Sequence, residues 1–316
     1  MRVLLTGITG NLGFEIAHSL GVRGVQILPI VRDGELFKTN DFCINDFVQF
    51  DLTHNKTIPK ISGIDCIVHS AGNVHFKNAG DENSRMMSSV IEIAKDLNVP
   101  IYYVSTAFLW RPQVNSEEFR NAYENDKYQS EVLLQHSGVQ HTVFCPSVLV
   151  GHSESGQLRN WSGYYLLVNT FIKSAISAET KDQKIRFPLL TGTSNMLPVD
   201  QAAETISQMV VDKQLGKRVY ITNPEPPQAE WVLDKTLEFL DISDRFEFIP
   251  MDFSDYVKLE RTNEEKLLSV VGQHFSSYWS LSYNFPNPLC SKNLITKEYL
   301  YKTLSMFQEK NKIKVI

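Results

Sequence analysis

The sequence predicts an α/β fold, a doubly wound parallel sheet joined to a smaller, interleaved C-terminal substrate lobe. Three observations predict it. The chain opens on a short apolar run, residues 3–5, and passes at once into TGITGNLG, with Gly7, Gly10 and Gly13 three residues apart. Apolar, β-branched runs of strand length then recur, separated by stretches of helical periodicity, which is the signature of βαβ units. After Gly151 that rhythm breaks into a segment richer in Ser, Gly, Asn and aromatic residues.

Taken in order, residues 14–20 place Phe14, Ile16, Ala17 and Leu20 at helical spacing, so a helix follows the first strand. Residues 25–31 (VQILPIV) read as a second buried strand, with Pro29 a flaw that a central strand tolerates poorly. Further strands are expected at 47–50, 66–69, 101–104 and 142–150, with helices at 84–97 and 126–136 between them. Beyond the break, MLPVDQAAETISQMVVD resumes a helical pattern and RVYIT reads as one more strand. PEPP at 224–227 punctuates the start of an aromatic, mostly helical remainder. The expected division is residues 1–151 and 192–222 for a nucleotide-binding domain, and 152–191 and 223–316 for the substrate lobe.

Composition narrows the function. A net charge of −5, from 31 basic and 36 acidic residues mixed along 316, argues against nucleic acid as a partner. The longest apolar runs, such as residues 164–168, fall far short of a bilayer span. The N-terminus does not read as a signal peptide, because glycines and polar residues stand where an apolar region would continue. Cys43, Cys66, Cys145 and Cys290 are widely separated and show no metal-type spacing. They suit reduced thiols and a cytoplasmic location.

A strand, then Gly7-x-x-Gly10-x-x-Gly13, then a helix is an arrangement that cradles a dinucleotide pyrophosphate. The glycines permit a tight turn, close approach of backbone to phosphate and close helix–strand packing, while the helix N-terminus offers N–H donors. Arg32 directly follows the second strand, where a 2′-phosphate would sit, and Thr9 adds a hydroxyl nearby. NADP is therefore favoured over NAD, with Arg32 as an exposed loop charge the plainer alternative. Asp51, ending VQFD, suits either an adenine contact or the start of a turn.

Tyr123 and Lys127, in NAYENDKYQSEVLL, are four apart and share one helix face. A neighbouring ammonium would favour the phenolate and bring the phenol pKa down toward a usable range. Ser105-Thr106, in IYYVSTAFLW, lies just beyond a predicted strand, where a hydroxyl could polarise a carbonyl or simply end the strand. Trp110, Trp161, Tyr164 and Tyr165 are candidate pocket residues, or plain core.

In series, TGITGNLG, DCIVHSAG, VSTA and YENDK resemble the extended short-chain dehydrogenases/reductases. HSAGNVHF, YVSTAF, NAYENDKYQSE, FCPSVLVGHSESGQL, MLPVDQAAE and YITNPEPP are similar, more narrowly, to the thioester-reductase and fatty-acyl-reductase branch with its "male sterility" type NAD(P)-binding domain. The likeness covers roughly residues 1–235. It implies a Rossmann-type sheet and a cofactor lying against Gly7, Thr9, Gly10, Asn11, Leu12, Gly13, Arg32, Asp51, Leu52, Ala71, Gly72, Lys127, Pro146 and Val148. It also implies Thr106 as the carbonyl-binding hydroxyl, Tyr123 as proton donor, Lys127 as the ribose-holding residue that lowers the Tyr pKa, and Asn83 as a helix residue supporting the site.

The sequence departs from that pattern at Asp126, where Ser is usual, and at Gly72, where Ala is usual. The implied activity is NADPH-dependent reduction of an acyl thioester, carrier-bound or small, to an aldehyde or alcohol. A ketone or aldehyde reductase, a nucleotide-sugar epimerase or dehydratase, and a cofactor-binding regulator are the alternatives, since the triad serves several chemistries.

Overall fold

The structure, a computed structural model, describes residues 1–34, 44, 46–54, 59–74, 80–110, 119–178, 184–286 and 294–312. The chain runs β1 (Arg2–Thr6), α1 (Asn11–Val22), β2 (Gln26–Val31), β3 (Val48–Gln49), β4 (Cys66–His69), α2 (Glu82–Leu97), β5 (Ile101–Val104), a 3₁₀ turn (Ala107–Leu109), α3 (Ala122–His136) and β6 (His141–Pro146). There follow β7 (Val148–Val150), α4 (Tyr164–Ser177), β8 (Ile185–Pro188), β9 (Met196–Pro198), α5 (Val199–Val211) and β10 (Arg218–Ile221). The remainder is α6 (Ala229–Phe239), β11 (Phe246–Ile249), α7 (Phe253–Tyr256), α8 (Asn263–Trp279) and α9 (Lys297–Asn311), with a second 3₁₀ turn at Ser243–Arg245.

Two compact units emerge. The first comprises the described residues within Met1–Ser147, Val199–Thr222 and Phe285–Cys290. Its seven strands lie in the order β3-β2-β1-β4-β5-β6-β10. Every pairing is parallel. The order reverses between β1 and β4, the topological switch point of a doubly wound sheet, where ligands bind beyond the strands' carboxyl ends. Helix α1 packs on α5, and α2 on α3. Right-handed crossovers on either side of the switch put these pairs on opposite faces of the sheet. Covered on both faces, β4 and β5 are buried at every residue, so they read as unbroken apolar runs rather than alternating ones.

Two details correct the sequence reading. Pro29 does sit in an interior strand, in register with Leu5 of β1. Its neighbour β3 is only two residues long and pairs with Ile30 and Val31, so no hydrogen bond to β3 is lost at Pro29. The apolar run 142–150 is not one strand. It divides at Ser147, whose N–H still donates to the Ile221 carbonyl of β10, and the following β7 joins a different, two-stranded sheet with β9.

The second unit comprises the described residues within Val148–Pro198, Asn223–Asn284 and Ser291–Ile316. The junctions thus fall after Ser147 and Pro198, where the sequence suggested 151 and 191. Two short parallel pairs, β7–β9 and β8–β11, are surrounded by helices, with α4 packed on α8. Its core is aromatic: Tyr164, Tyr165, Phe171, Phe187, Tyr256 and Trp279 are all fully buried. Among the described residues no helix is long and apolar enough to cross a membrane, and no His/Cys/Asp/Glu group could hold a metal ion. Cys66 and Cys145 are buried free thiols, while Cys43 and Cys290 lie outside the described residues.

Candidate active site

The glycine turn sits at the carboxyl end of β1, facing the loop after β4. Gly7 has φ +79°, a left-handed conformation. A Cβ there would lie 2.5 Å from the Ala71 nitrogen, so only glycine lets the two loops meet. The Gly10 N–H donates to the Gly7 carbonyl at 2.9 Å, closing the turn. A Cβ on Gly13 would fall 2.1 Å from that same oxygen. Gly10 is the N-cap of α1, has no side-chain cap, and the first turn carries no acid. The helix thus presents N–H donors and the positive end of its dipole, without a competing carboxylate.

Thr6 ties the two loops together. Its Oγ1 accepts from the Ala71 N–H at 3.1 Å and shares a 2.7 Å hydrogen bond with His69 Nδ1. Burial, with the charge of Lys127 behind it, drives the His69 imidazole down to about 3, so this link is uncharged at neutral pH. The His69 ring stacks on Tyr103 of β5 at 5.4 Å, and the Lys127 ammonium lies 4.9 Å from the centre of that tyrosine ring. Thr6, His69 and Tyr103 had no assigned role in the sequence reading, although His69 stands inside the motif DCIVHSAG.

Lys127 is buried on α3, and its Nζ donates to the Val104 carbonyl at the end of β5, 3.1 Å away. Burial lowers its pKa to about 8, against the opposing charges of Asp126 and Glu131. Gly72 abuts it: a Cβ there would sit 3.1 Å from Lys127 Nζ and 3.2 Å from Asn83 Oδ1. An alanine here would require Lys127 or Asn83 to give way by a few tenths of an ångström.

Tyr123, one turn earlier on α3, shares a hydrogen bond with Thr106. The structure therefore brings together the hydroxyl pair expected at the reaction centre. The phenol pKa, however, moves opposite to expectation. Burial raises it above its ordinary value, the Thr106 hydrogen bond opposes this only in part, and Glu124 pushes it further up. The Lys127 ammonium is held by the Val104 carbonyl. Tyr123 is thus a firmly protonated phenol, suited to donate a proton rather than remove one.

The companion hydroxyl, Ser105, is committed elsewhere. Its Oγ donates to Glu131, which is in turn paired with Arg218 of β10. Of the two strand-end hydroxyls only that of Thr106 faces Tyr123, where it also accepts weakly from the Phe108 N–H at 3.4 Å.

Asn83 grips the backbone of residue 73 from both sides: Asn73 N–H donates to Asn83 Oδ1 at 2.8 Å, and Asn83 Nδ2 donates to the Asn73 carbonyl at 3.0 Å. Asp126 does not pair with Lys127. Its carboxylate accepts from the backbone N–H groups of Asn83 (2.8 Å) and Ser84 (3.0 Å), capping α2 from a neighbouring helix.

Where the sequence reading expects a 2′-phosphate, Arg32 directly follows β2, is exposed, and makes no ion pair among the described residues. Thr9 is exposed in the glycine turn, with Asn11 and Leu12 opening α1. Asp51 is engaged in a turn, its Oδ1 accepting from the Thr53 N–H (2.9 Å) and hydroxyl (2.7 Å). Leu52 is buried, its carbonyl accepting from Ser89. Pro146 ends β6, paired with Ile221, and Val148 belongs to β7 of the second unit.

The aromatic quartet separates. Trp110 packs edge-on against Tyr220, 5.9 Å away, in the first unit. In the second, Trp161 packs on Tyr165 at 4.6 Å and on Phe307 at 5.4 Å. Tyr164 and Tyr165 are not pocket residues but core. Both are wholly enclosed, the Tyr164 hydroxyl meeting Thr236 at 2.5 Å and that of Tyr165 accepting from the Gly151 N–H at 3.2 Å.

A glycine cradle too tight for any Cβ, an uncapped helix N-terminus and a hydroxyl pair beside a buried lysine fit a dinucleotide and a carbonyl. They define an NAD(P)-dependent oxidoreductase of the short-chain type. Residues 48–206, half of the chain, match the family described as male sterility protein, an NAD-binding domain, and the chain belongs to that family. Curated protein sequences give no match. Among solved structures, the fold is similar to the terminal R domain from the myxalamid PKS-NRPS biosynthetic pathway, with a TM-score of 0.74, 18% identity, and 99% of this chain and 92% of that one covered. The thiolation-reductase di-domain of an archaeal non-ribosomal peptide synthetase gives 0.73 at 14% identity, covering 99% of this chain and 76% of that one. UDP-N-acetylglucosamine 4-epimerase from Bacillus cereus gives 0.56 at 15% identity, covering 94% and 100%. At such identities the likeness is one of fold.

Proposed function

We propose that the protein is an NADPH-dependent reductase that converts an acyl thioester to an aldehyde, releasing the thiol. The observation that carries the chemistry is the Tyr123–Thr106 hydrogen bond, formed by a phenol that burial keeps protonated. When bound, the dihydronicotinamide supplies the hydride. Gly7, Gly10, Gly13 and the N-terminus of α1 would hold the pyrophosphate, Arg32 the 2′-phosphate, and Lys127 the nicotinamide ribose. Thr106 and Tyr123 would donate hydrogen bonds to the thioester oxygen and strengthen them as it gains charge. Tyr123 then passes its proton to that oxygen. Return of the hydroxyl proton from the resulting hemithioacetal to Tyr123 reforms the carbonyl and expels the sulfur, which takes a proton from solvent and leaves as the thiol beside the aldehyde.

The thioester is favoured over a sugar nucleotide by the fold, which resembles reductase domains of peptide-synthetase pathways more closely than it resembles the epimerase. The substrate's thiol portion is a phosphopantetheine arm on a carrier protein or coenzyme A. The test supplies acyl thioesters and the corresponding free aldehydes separately, each with NADPH. Aldehyde formed with one equivalent of free thiol supports the reading. Turnover of aldehydes or ketones with no thiol released from any thioester would reassign the protein to simple carbonyl reduction.

A further inference from the structure

Tyr123, Lys127 and Glu131 are spaced at i, i+4 and i+8 and so share one face of α3. The proposed chemistry uses the first two and leaves the third unexplained. Glu131 is nonetheless 4% exposed, and an acid is not buried without partners. One of its oxygens accepts from the Ser105 hydroxyl, and the other pairs with the Arg218 guanidinium. Arg218 is fixed in turn by a 2.9 Å hydrogen bond from its Nε to the Tyr220 hydroxyl. Ser105 immediately precedes Thr106, and its N–H donates to the Phe144 carbonyl of β6 at 2.7 Å. One carboxylate therefore joins the helix bearing Tyr123 and Lys127, the strand end bearing Thr106, and strand β10.

We propose that Glu131 is a positioning residue of the reductase site, holding Ser105, and so the adjacent Thr106 hydroxyl, in register with Tyr123 and Lys127. The inference rests on the reductase reading for its kinetic consequence alone; the linkage itself is geometric. Glu131 also supplies negative charge behind Lys127. The titratable groups facing that ammonium are His69 from β4, Tyr103 from β5, Cys145 from β6, and Asp126 and Glu131 from its own helix. Of these, His69 is neutral at working pH, and the carboxylates that hold the Lys127 charge are Asp126, the larger influence, and Glu131. Without Glu131, Lys127 gives up its proton at lower pH.

Two variants separate the functions. Ser105→Ala cuts the tether and leaves every charge in place. Its kcat should fall about tenfold or more, since small misplacements of a reacting group cost that much, with NADPH affinity unchanged. Glu131→Gln should move the Lys127 titration, followed by carbon-13 NMR of labelled lysine, down by roughly half a pH unit or more, and Glu131→Asp should restore it. If Glu131→Gln does not fold because Arg218 is stranded, Glu131→Gln with Arg218→Met removes both partners of the pair and should still move the Lys127 titration down, by less than Glu131→Gln alone, because the lost Arg218 charge has the opposite sign and lies beyond Glu131. An unchanged Lys127 midpoint in these variants, or a Ser105→Ala variant with unaltered kcat, would overturn the proposal. Should the unaltered protein turn over no thioester, the reductase reading falls by itself, and the lysine titration decides the role of Glu131.

Discussion

The Asp126 carboxylate accepts a hydrogen bond from the backbone N–H of Asn83, 2.8 Å away across 43 positions of sequence. It caps a helix that its own residue 81 leaves without a side-chain cap, and Asn83, in the first turn of that helix, clasps the loop carrying Gly72. Replacing Asp126 by Ala should cost about 1–2 kcal/mol, the usual effect of losing an N-cap. It should also weaken cofactor binding, because the loop loses its anchor. Chemical denaturation and a cofactor titration of the same variant check both effects. Asp126→Asn, which keeps an acceptor oxygen, should retain more of each.

Gly13→Ala should weaken cofactor binding strongly while leaving the fold cooperative. The added methyl would lie 2.1 Å from the Gly7 carbonyl oxygen, and rigid backbone stands on both sides. The turn must open, and the N–H groups that would meet phosphate move with it. A loss of at least tenfold in affinity for NADPH and NADH alike is expected in a fluorescence titration. Unchanged affinity would mean that the pyrophosphate does not lie on this turn.

The sheet was legible because buried parallel strands announce themselves as apolar runs: β4 and β5 coincide with the expected 66–69 and 101–104. The division at Ser147 was not, since TVFCPSVLV is mostly apolar on both sides of it and only tertiary pairing shows that β7 leaves the main sheet. The glycine turn and the Tyr-Lys helix face likewise follow from spacing. The Glu131–Arg218 pair, 87 positions apart, and the Asp126 cap do not, because nothing local marks their partners. Spacing also misled about Tyr123. It gave the neighbouring ammonium but not the burial, and burial sets the direction of the shift.

Arg32→Ala should reduce NADPH affinity by the worth of a charge-assisted hydrogen bond, about 1.5–3 kcal/mol, or roughly ten- to a hundredfold. NADH affinity should stay where it is. Arg32 is exposed and makes no ion pair among the described residues, so the substitution disturbs nothing else that the structure shows. Equal affinity of the unaltered protein for both cofactors would remove Arg32 from the 2′-phosphate.

Tyr123→Phe should lower kcat by about 10²–10⁴-fold, the ordinary contribution of a positioned proton donor. Cofactor affinity should be retained, because the ring remains and Lys127 is held by the Val104 carbonyl rather than by the phenol. Retained turnover would exclude Tyr123 from proton transfer.

Lys127 is expected to trade stability for binding. Its folded pKa of about 8 lies below its unfolded value, so the fold disfavours its charged form. Between those two values the unfolded chain binds more protons, and this group's contribution makes stability rise with pH there. Below about pH 8 the charged lysine is a standing cost, on the order of 3 kcal/mol from the size of the shift, reduced by its hydrogen bond to Val104. Lys127→Met, which fills the space without the charge, should therefore be more stable than the unaltered protein at pH 7. It should also lose the extra stabilisation on going from pH 8 to pH 10 that the lysine confers. The same variant should bind NADPH more weakly, since the ammonium proposed to hold the ribose is gone. Denaturation midpoints at pH 7 and pH 10, with a cofactor titration at pH 7, test the pair of effects. A Lys127→Met protein that is less stable at pH 7 yet binds NADPH as before would show Lys127 to be a structural residue.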